Sequence, residues 1–364
     1  MPKVPVPEHI KSLVPYPPGK PIEELKREIG VEKIIKLASN ENPVGPSPKA
    51  LEAMRKAIER VNRYPDGSAY YLKKKLSEKL GIEPEQIILG NGSNEIIELV
   101  FRTFYQPGDN IVSAEITFAV YPIIAHAMGA EYRAAPMKNL KYDLDEMLHF
   151  IDEKTRIVFI SNPNNPTGTY VTTREFENFM EKVPDSTLVV LDEAYFEFVD
   201  RDDYPNGLNY IEKFPNLIVM RTFSKIYGLA GLRIGYGIGN SEIIDYLNRV
   251  RQPFNVNLVA QEAALAALDD DEFVDKVRNL THSGLKWLYS RVERLGLEYI
   301  PSVTNFFLIK VGKGKEVFEA LLRKGVIVRP MDGYHLPEYI RVNVGTEEEN
   351  RIFIESLEEV LSQL

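Results

Sequence analysis

Six short runs, at residues 86–89, 110–113, 156–160, 187–191, 217–221 and 234–238, are apolar, mostly β-branched and bounded by Gly, Pro, Asp or Asn. A strand that is apolar at nearly every position has no face to give to water, so both of its sides must be covered. Amphipathic stretches such as 95–105 and 173–182 lie between many of these runs and supply that cover. The pattern predicts an α/β chain whose large domain has a mostly parallel central sheet flanked by helices. Upstream, Ala50, Leu51, Met54, Ala57, Ile58 and Val61 fall on one helical face. The first forty residues read as an arm and a short helix, with Pro15, Pro17 and Pro18 stiffening the entry and Pro21 at a helix start. After Ser241 the texture changes to long helices at 242–251, 258–268 and 271–295. Strand-like segments follow at 305–310, 326–329 and 339–343, then a closing helix at 347–361. We therefore expect an arm and part of a small domain at 1–29, a large domain at 30–265 and a smaller α+β domain at 266–364.

Composition removes several classes of chemistry. The 364 residues include no cysteine, which excludes disulfides, thiolate metal sites and cysteine nucleophiles. The histidines His9, His126, His149, His282 and His335 show no i, i+4 pairing, so each is expected at the surface or in packing rather than on a metal. A net charge of −9 with scattered basic residues speaks against a nucleic-acid or anionic-membrane partner. No run approaches a membrane span, and the Pro-rich start has no apolar core before a cleavage site, so a cytoplasmic location is expected.

Three of the apolar runs end in polar residues that a packed core would not select. Residues 156–160 lead into Ser161-Asn-Pro-Asn-Asn-Pro-Thr-Gly168, 187–191 into Asp192-Glu-Ala-Tyr195, and 217–223 into Ser224 and Lys225. Ligands bind outside the carboxyl ends of strands in open parallel sheets, so these tips can meet at one crevice. Taken singly, Asp192 would cap a helix and Lys225 would be a solvated turn residue; three such coincidences disfavour that reading. A fourth segment, Gly90-Asn-Gly-Ser-Asn94, follows a strand and opens the helix expected from Glu95. Glycines there allow close backbone approach, and a helix N-terminus attracts phosphate, although a capped turn without a ligand is as common.

These motifs, together with Gly231-Leu-Arg-Ile-Gly235, resemble in order the cofactor-binding motifs of fold-type I, pyridoxal-phosphate-dependent aminotransferases. The likeness runs from Tyr16-Pro-Pro-Gly-Lys-Pro21 and Ser39-Asn-Glu-Asn-Pro43 to Arg341-Val-Asn-Val-Gly-Thr346, and within that class it is nearest the histidinol-phosphate aminotransferase family.

The resemblance implies a role for each matched residue. Lys225 would carry pyridoxal 5'-phosphate covalently and then move the substrate proton. Asp192 would pair with the ring nitrogen, and Asn165 and Tyr195 would hydrogen-bond the ring hydroxyl. Phe118 stands where the family often stacks a tyrosine, keeping the stacking surface and losing a hydroxyl. Gly92, Ser93, Asn94, Thr222, Ser224 and Arg233 would hold the phosphate; many relatives have aspartate where this chain has Asn94. Tyr64 would reach the phosphate of a neighbouring subunit, which implies a homodimer with shared sites. Tyr16, Asn42, Arg329 and Arg341 would contact substrate, an amino donor and a 2-oxo acid in alternation. Aromatic amino-acid transamination and threonine-phosphate decarboxylation remain open on the same scaffold. A non-catalytic cofactor-binding regulator would need an added nucleic-acid-binding domain, for which no residues are left over. A nicotinamide dehydrogenase is disfavoured because Gly235, Gly237 and Gly239 lack the G-x-G-x-x-G order.

Overall fold

The computed structural model describes residues 4–15, 19–30 and 33–363. Seven strands form the larger sheet: β1 (Ile87–Gly90), β2 (Asn110–Ala114), β3 (Glu131–Ala135), β4 (Thr155–Ser161), β5 (Leu188–Asp192), β6 (Leu217–Thr222) and β7 (Gly235–Gly239). Their order is β1-β7-β6-β5-β4-β2-β3. Only β7 runs against its neighbours; the other pairings are parallel. Every residue of β1, β2, β5, β6 and β7 is buried, which is why these segments read as continuous apolar runs. The edge strand β3 is half exposed and reads Glu-Tyr-Arg-Ala-Ala, so it carries no such signal and was not anticipated.

Strand alternation divides the core between the two faces. On one side Ile88, Ile157, Phe159, Val190 and Ile218 meet Ile96, Val100, Tyr121, Ile244 and Leu247 from the helices Ser93–Phe104, Val120–Ala127 and Ser241–Val250. On the other, Val112, Val158, Val189, Leu191 and Val219 meet Leu72, Leu76, Phe176, Phe179, Ala260 and Ala263 from Tyr70–Leu80, Thr173–Met180 and Leu258–Ala267. Local chemistry sets where these helices begin. Thr172 accepts from Glu175 N while Glu175 returns a bond to the Thr172 backbone, a reciprocal capping box. Ser47 caps a helix whose first residue is Pro48.

A second, antiparallel sheet comprises β8 (Glu298–Ile300), β9 (Phe306–Lys310), β10 (Arg329–Pro330) and β11 (Tyr339–Asn343), in the order β8-β9-β11-β10. Asp271–Arg294, Gly314–Arg323 and Glu347–Leu361 cover it through Leu285, Leu288, Val317, Leu321, Phe353 and Leu357. The single strand expected at 326–329 is divided: Val326 and Ile327 pair in parallel with Ile35 and Lys36, whereas Arg329 and Pro330 join β11. Ile35 and Leu37 therefore pack in the second core, beyond the boundary expected at residue 29. Val274 and Val277 pack in the first core although they lie past residue 265. No helix among the described residues is long and apolar enough to cross a membrane.

Candidate active site

Because β1, β4, β5 and β6 are parallel, their last residues Gly90, Ser161, Asp192 and Thr222 arrive at one edge of the sheet. Antiparallel β7 starts at that same edge, with Gly235 opposite both Gly90 and Thr222, so Arg233 is delivered there as well. A cavity of about 410 Å³ opens at this edge, within the size range of cofactor and small-ligand sites. Ser93, Asn94, Phe118, Asn165, Asp192, Tyr195, Thr222, Ser224, Lys225 and Arg233 line it, all named from the sequence; Ser39, Glu41 and Ser161 line it too and were not.

At one end stands Asp192, held by the ladder through Asn162 N donating to its carbonyl and Glu193 N donating to Met220 O. Its carboxylate is buried, accepting from Tyr121 OH at 2.7 Å and from Ala194 N at 3.1 Å. It caps no α-helix. Burial pushes its pKa up to about 6, although the bonds from Tyr121 and Ala194 and the charge of Lys225 pull the other way. Tyr121 is itself fully buried, stacked on Phe159 with ring centroids 4.6 Å apart, and burial raises its hydroxyl so far that it stays a donor. A carboxylate kept out of water with only two neutral donors is poised for a cationic partner.

Lys225 reaches back over the strand tips, its Nζ 3.4 Å from Ser39 O and 5.6 Å from the centre of the Tyr195 ring. Tyr195 is buried edge-on against Phe306 and its hydroxyl accepts from Asn40 Nδ2 at 2.9 Å. Asn165 Oδ1 accepts from Arg341 Nη1 at 2.6 Å, and Arg341 Nη2 donates to Ala38 O. The loop that presents Asn165 is wired by its own amides: Asn164 Nδ2 bonds Ile116 O and Thr167 Oγ1, and Asn162 Oδ1 accepts from Val171 N. Arg341 and Arg329 are direct cross-strand partners in the second sheet, an arrangement that repels unless anions are supplied nearby.

At the other end the helix begins at Ser93, two residues earlier than expected, with Gly92 as its N-cap at φ 74° and no side-chain cap bond. Glu95 turns away to Asn91 N and Asn255 Nδ2, leaving the first turn to face the cavity through Ser93 and Asn94. Glycine is required twice here. A Cβ on Gly92 would run into the Arg233 guanidinium, and one on Gly235 would stand 2.6 Å from Ser93 N. Arg233 adopts φ 57°, a left-handed backbone that costs a non-glycine residue roughly 1–2 kcal/mol and is tolerated where it aims a side chain. Its Nη1 approaches Ser224 Oγ at 3.5 Å and bonds Ala230 O at 3.1 Å. Asp192 on β5 and the start of β7 are two strand spacings apart, roughly 10 Å. A carboxylate at one end, an amine between and a helix N-terminus with a guanidinium at the other match a flat, basic ring carrying a phosphate arm.

Other named residues lie elsewhere. Asn42 does not line this cavity: its Nδ2 donates to Ile226 O and its Oδ1 accepts from Val44 N, so it fastens the segment next to Lys225. Arg329 lines a separate groove of about 660 Å³ with Pro15, Lys20, Pro122 and Tyr334. Tyr64 is 82% exposed and stacks on Phe254 with ring centroids 4.8 Å apart. Tyr16 falls outside the described residues. Sequence reasoning missed Tyr121 and Asn40, which touch Asp192 and Tyr195 directly. Asn40 lies inside the Ser39–Pro43 motif and Tyr121 three residues beyond Phe118, and only the tertiary pairing shows that each bonds a site residue.

Residues 32–357 match the family described as aminotransferase class I and II. A histidinol-phosphate aminotransferase of Moorella thermoacetica is 50% identical over 357 residues, covering 98% of this chain and 92% of that protein. Histidinol-phosphate aminotransferase 2 of Pseudomonas aeruginosa is 50% identical over 356 residues, with 97% and 96% covered. The crystal structure of histidinol-phosphate aminotransferase from Sinorhizobium meliloti in complex with pyridoxal-5'-phosphate superimposes with a TM-score of 0.90 at 28% identity, covering 98% of this chain and 97% of that one.

Proposed function

The chain belongs to the aminotransferase class I and II family, and on that footing we propose that it transfers an amino group between L-histidinol phosphate and 2-oxoglutarate in histidine biosynthesis, acting as a cytoplasmic homodimer. The single observation that carries the transaminase reading is the convergence of Asp192, Lys225, Asn165, Tyr195 and Arg233 on one cavity from separate strand tips. Close relatives bearing the histidinol-phosphate aminotransferase name support the substrate.

Pyridoxal 5'-phosphate, when bound, supplies the electron sink that makes a substrate C–H bond next to the amine acidic. The residues divide the remaining work. Ser93 and Asn94 at the helix N-terminus, with Gly92, Thr222, Ser224 and Arg233, hold the phosphate. Asp192, its carboxylate fixed by Tyr121, would pair with the ring nitrogen and favour its protonated form. Asn165 and Tyr195 orient the ring through its hydroxyl, and Phe118 covers one face. The Lys225 amine would hold the cofactor, and its Nζ would take the substrate proton and return it. Arg341 takes the carboxylate of the 2-oxo acid or the phosphate of the donor, with Arg329 as its cross-strand neighbour and Tyr16 completing the substrate contacts.

Tyr64, Tyr70 and Tyr71 are exposed around one groove, with Phe254 stacked on Tyr64, an apolar surface that supports the homodimer and a Tyr64 directed at the partner's phosphate site. Borohydride reduction of the purified protein followed by peptide mapping tests the covalent residue; a pyridoxyl group on any lysine but Lys225 removes it from this role. Comparison of kcat/KM for histidinol phosphate with phenylalanine and tyrosine tests the substrate. A preference for the aromatic acids would reassign the chain to aromatic transamination.

A further inference from the structure

Directly behind Asp192, on the face of the sheet turned away from the cavity, an ion pair is packed out of water. Strand alternation sends Asp192 and Thr222 to one side and Glu193 and Arg221 to the other. Glu193 is fully buried and Arg221 is 3% exposed. Arg221 Nε and Nη2 both donate to Glu193 Oε2, at 2.9 and 2.7 Å, and Nη2 also donates to Asn206 Oδ1. The guanidinium lies 3.6 Å over the Phe196 ring, and Glu193 Oε1 accepts from Gly207 N at 2.7 Å. No substrate-facing role accounts for this pair, and two apolar side chains of the same volume would fill the space at no loss of stability.

We propose that Glu193, locked by Arg221, is a positioning residue for Asp192: it fixes the strand tip and sets a second negative charge, paired with Arg221, behind the carboxylate that faces the cavity. Mechanically, the backbone of Glu193 donates to β6 through Met220 O while its side chain grips β6 and residue 207, so the peptide joining 192 to 193 is held on three sides. Electrostatically, the anionic end of the pair is the end joined to Asp192, and it is one of the forces that favour a proton there. The other groups facing the pair are Glu197, Arg278 and the tyrosines Tyr204, Tyr227 and Tyr236. Burial raises all three tyrosines, so they stay neutral. Glu197 is held up to about 7 by burial, with Oε2 out of water and without a hydrogen-bond partner among the described residues. Asp192 is faced in turn by Tyr121, Tyr142 and Lys225.

The inference rests on Asp192 meeting the ring nitrogen, and the test reads the holoenzyme by spectroscopy rather than turnover. In Glu193→Gln the pH midpoint of the bound cofactor's visible absorbance is expected to fall by about one pH unit. Arg221→Lys, which keeps the charge and loses the bidentate fork, is expected to hold the midpoint within a few tenths while lowering stability. Placed on Asp192→Asn, the Glu193→Gln shift is expected to shrink at least threefold, because the effect runs through Asp192. Should Glu193→Gln fail to fold, the charge-balanced Glu193→Gln/Arg221→Met pair is expected to shift the midpoint in the same direction by a smaller amount. An unmoved midpoint in both, or a full shift persisting on Asp192→Asn, overturns the proposal. A wild-type protein with no bound-cofactor absorbance would sink the functional reading itself, and this inference with it.

Discussion

Asp192→Asn separates the cost of the site from its use. In the protein without cofactor, burial lifts the Asp192 carboxyl from 3.8 to about 6, so the folded form holds its proton more tightly than the unfolded chain does. The sign follows: the penalty for an ionised Asp192 is absent below about pH 4, grows between pH 4 and 6, and is constant above that. At about 1.4 kcal/mol per tenfold change, the full penalty is about 3 kcal/mol. Asparagine removes the charge but keeps only one good acceptor for the two donors, Tyr121 OH and Ala194 N, which costs back about 1 kcal/mol. Cofactor-free Asp192→Asn should therefore be about 2 kcal/mol more stable than wild type at pH 8 and about 1 kcal/mol less stable below pH 4, the two being equal near about pH 4.5. Adding pyridoxal phosphate should reverse the order, since the wild-type carboxylate then has a cation to meet. Urea unfolding at several pH values with and without cofactor measures both differences. A stability difference that does not change between pH 4 and 8 would refute the reasoning.

Tyr121→Phe deletes one of the two donors to Asp192 and should move the upper edge of that pH window upward by about half a pH unit while its lower edge near pH 4 stays put, read from the identical unfolding series. Gly92→Ala places a methyl against the Arg233 guanidinium on a backbone with φ 74°, and should weaken pyridoxal phosphate binding at least tenfold in an equilibrium titration while leaving the secondary structure intact by circular dichroism. Asn40 sits at φ 55°, donates to Tyr195 OH and accepts at its carbonyl from Asn305 Nδ2. Asn40→Gly should cost about 1 kcal/mol for the lost side-chain bond, and Asn40→Ala about 1 kcal/mol more for the left-handed backbone, as measured by denaturant midpoints. Tyr64→Ala should lower cofactor affinity in the dimer and change the monomer's unfolding by no more than about 1 kcal/mol, since Tyr64 is 82% exposed and its aromatic contact among the described residues of its own subunit is the stack on Phe254.

How much of this was legible depended on whether a residue's role is set locally. The buried strands could be read because full burial writes itself as an unbroken apolar run, and their polar tips stood out against that background. Edge strand β3, the two-residue strand at 35–36 and the division of the expected 326–329 strand could not, since a half-exposed or two-residue strand has no periodicity to detect. The cavity residues named from the motifs lie where parallel strands must end, so topology alone brings them together. Asn42 and Asn40 show the opposite case. They flank Glu41 in one motif and are chemically identical, yet Asn42 ties down Ile226 O while Asn40 reaches Tyr195. Nothing local distinguishes two asparagines two positions apart; the left-handed turn at Asn40 does, and that turn is imposed from the second sheet through Asn343 and Asn305.

That dependence has a consequence for how the cavity is assembled. The carboxylate, the amine and the phosphate cup all belong to the first sheet, whereas the second sheet contributes Arg341 and, through Asn343 and Asn305, the placement of Asn40. Two hydrogen bonds cross between these sets at the ring-facing residues: Arg341 to Asn165 and Asn40 to Tyr195. In the role proposed for Arg341, a substrate anion would share the guanidinium with Asn165, which would link anion binding to the orientation of that amide through one side chain. An arginine suits that position because its five donors allow the carbonyl of Ala38 to be kept while the others are exchanged between Asn165 and an incoming carboxylate or phosphate. A lysine there would have to release one partner to take the other, and the link between substrate occupancy and ring alignment would be lost with the fork.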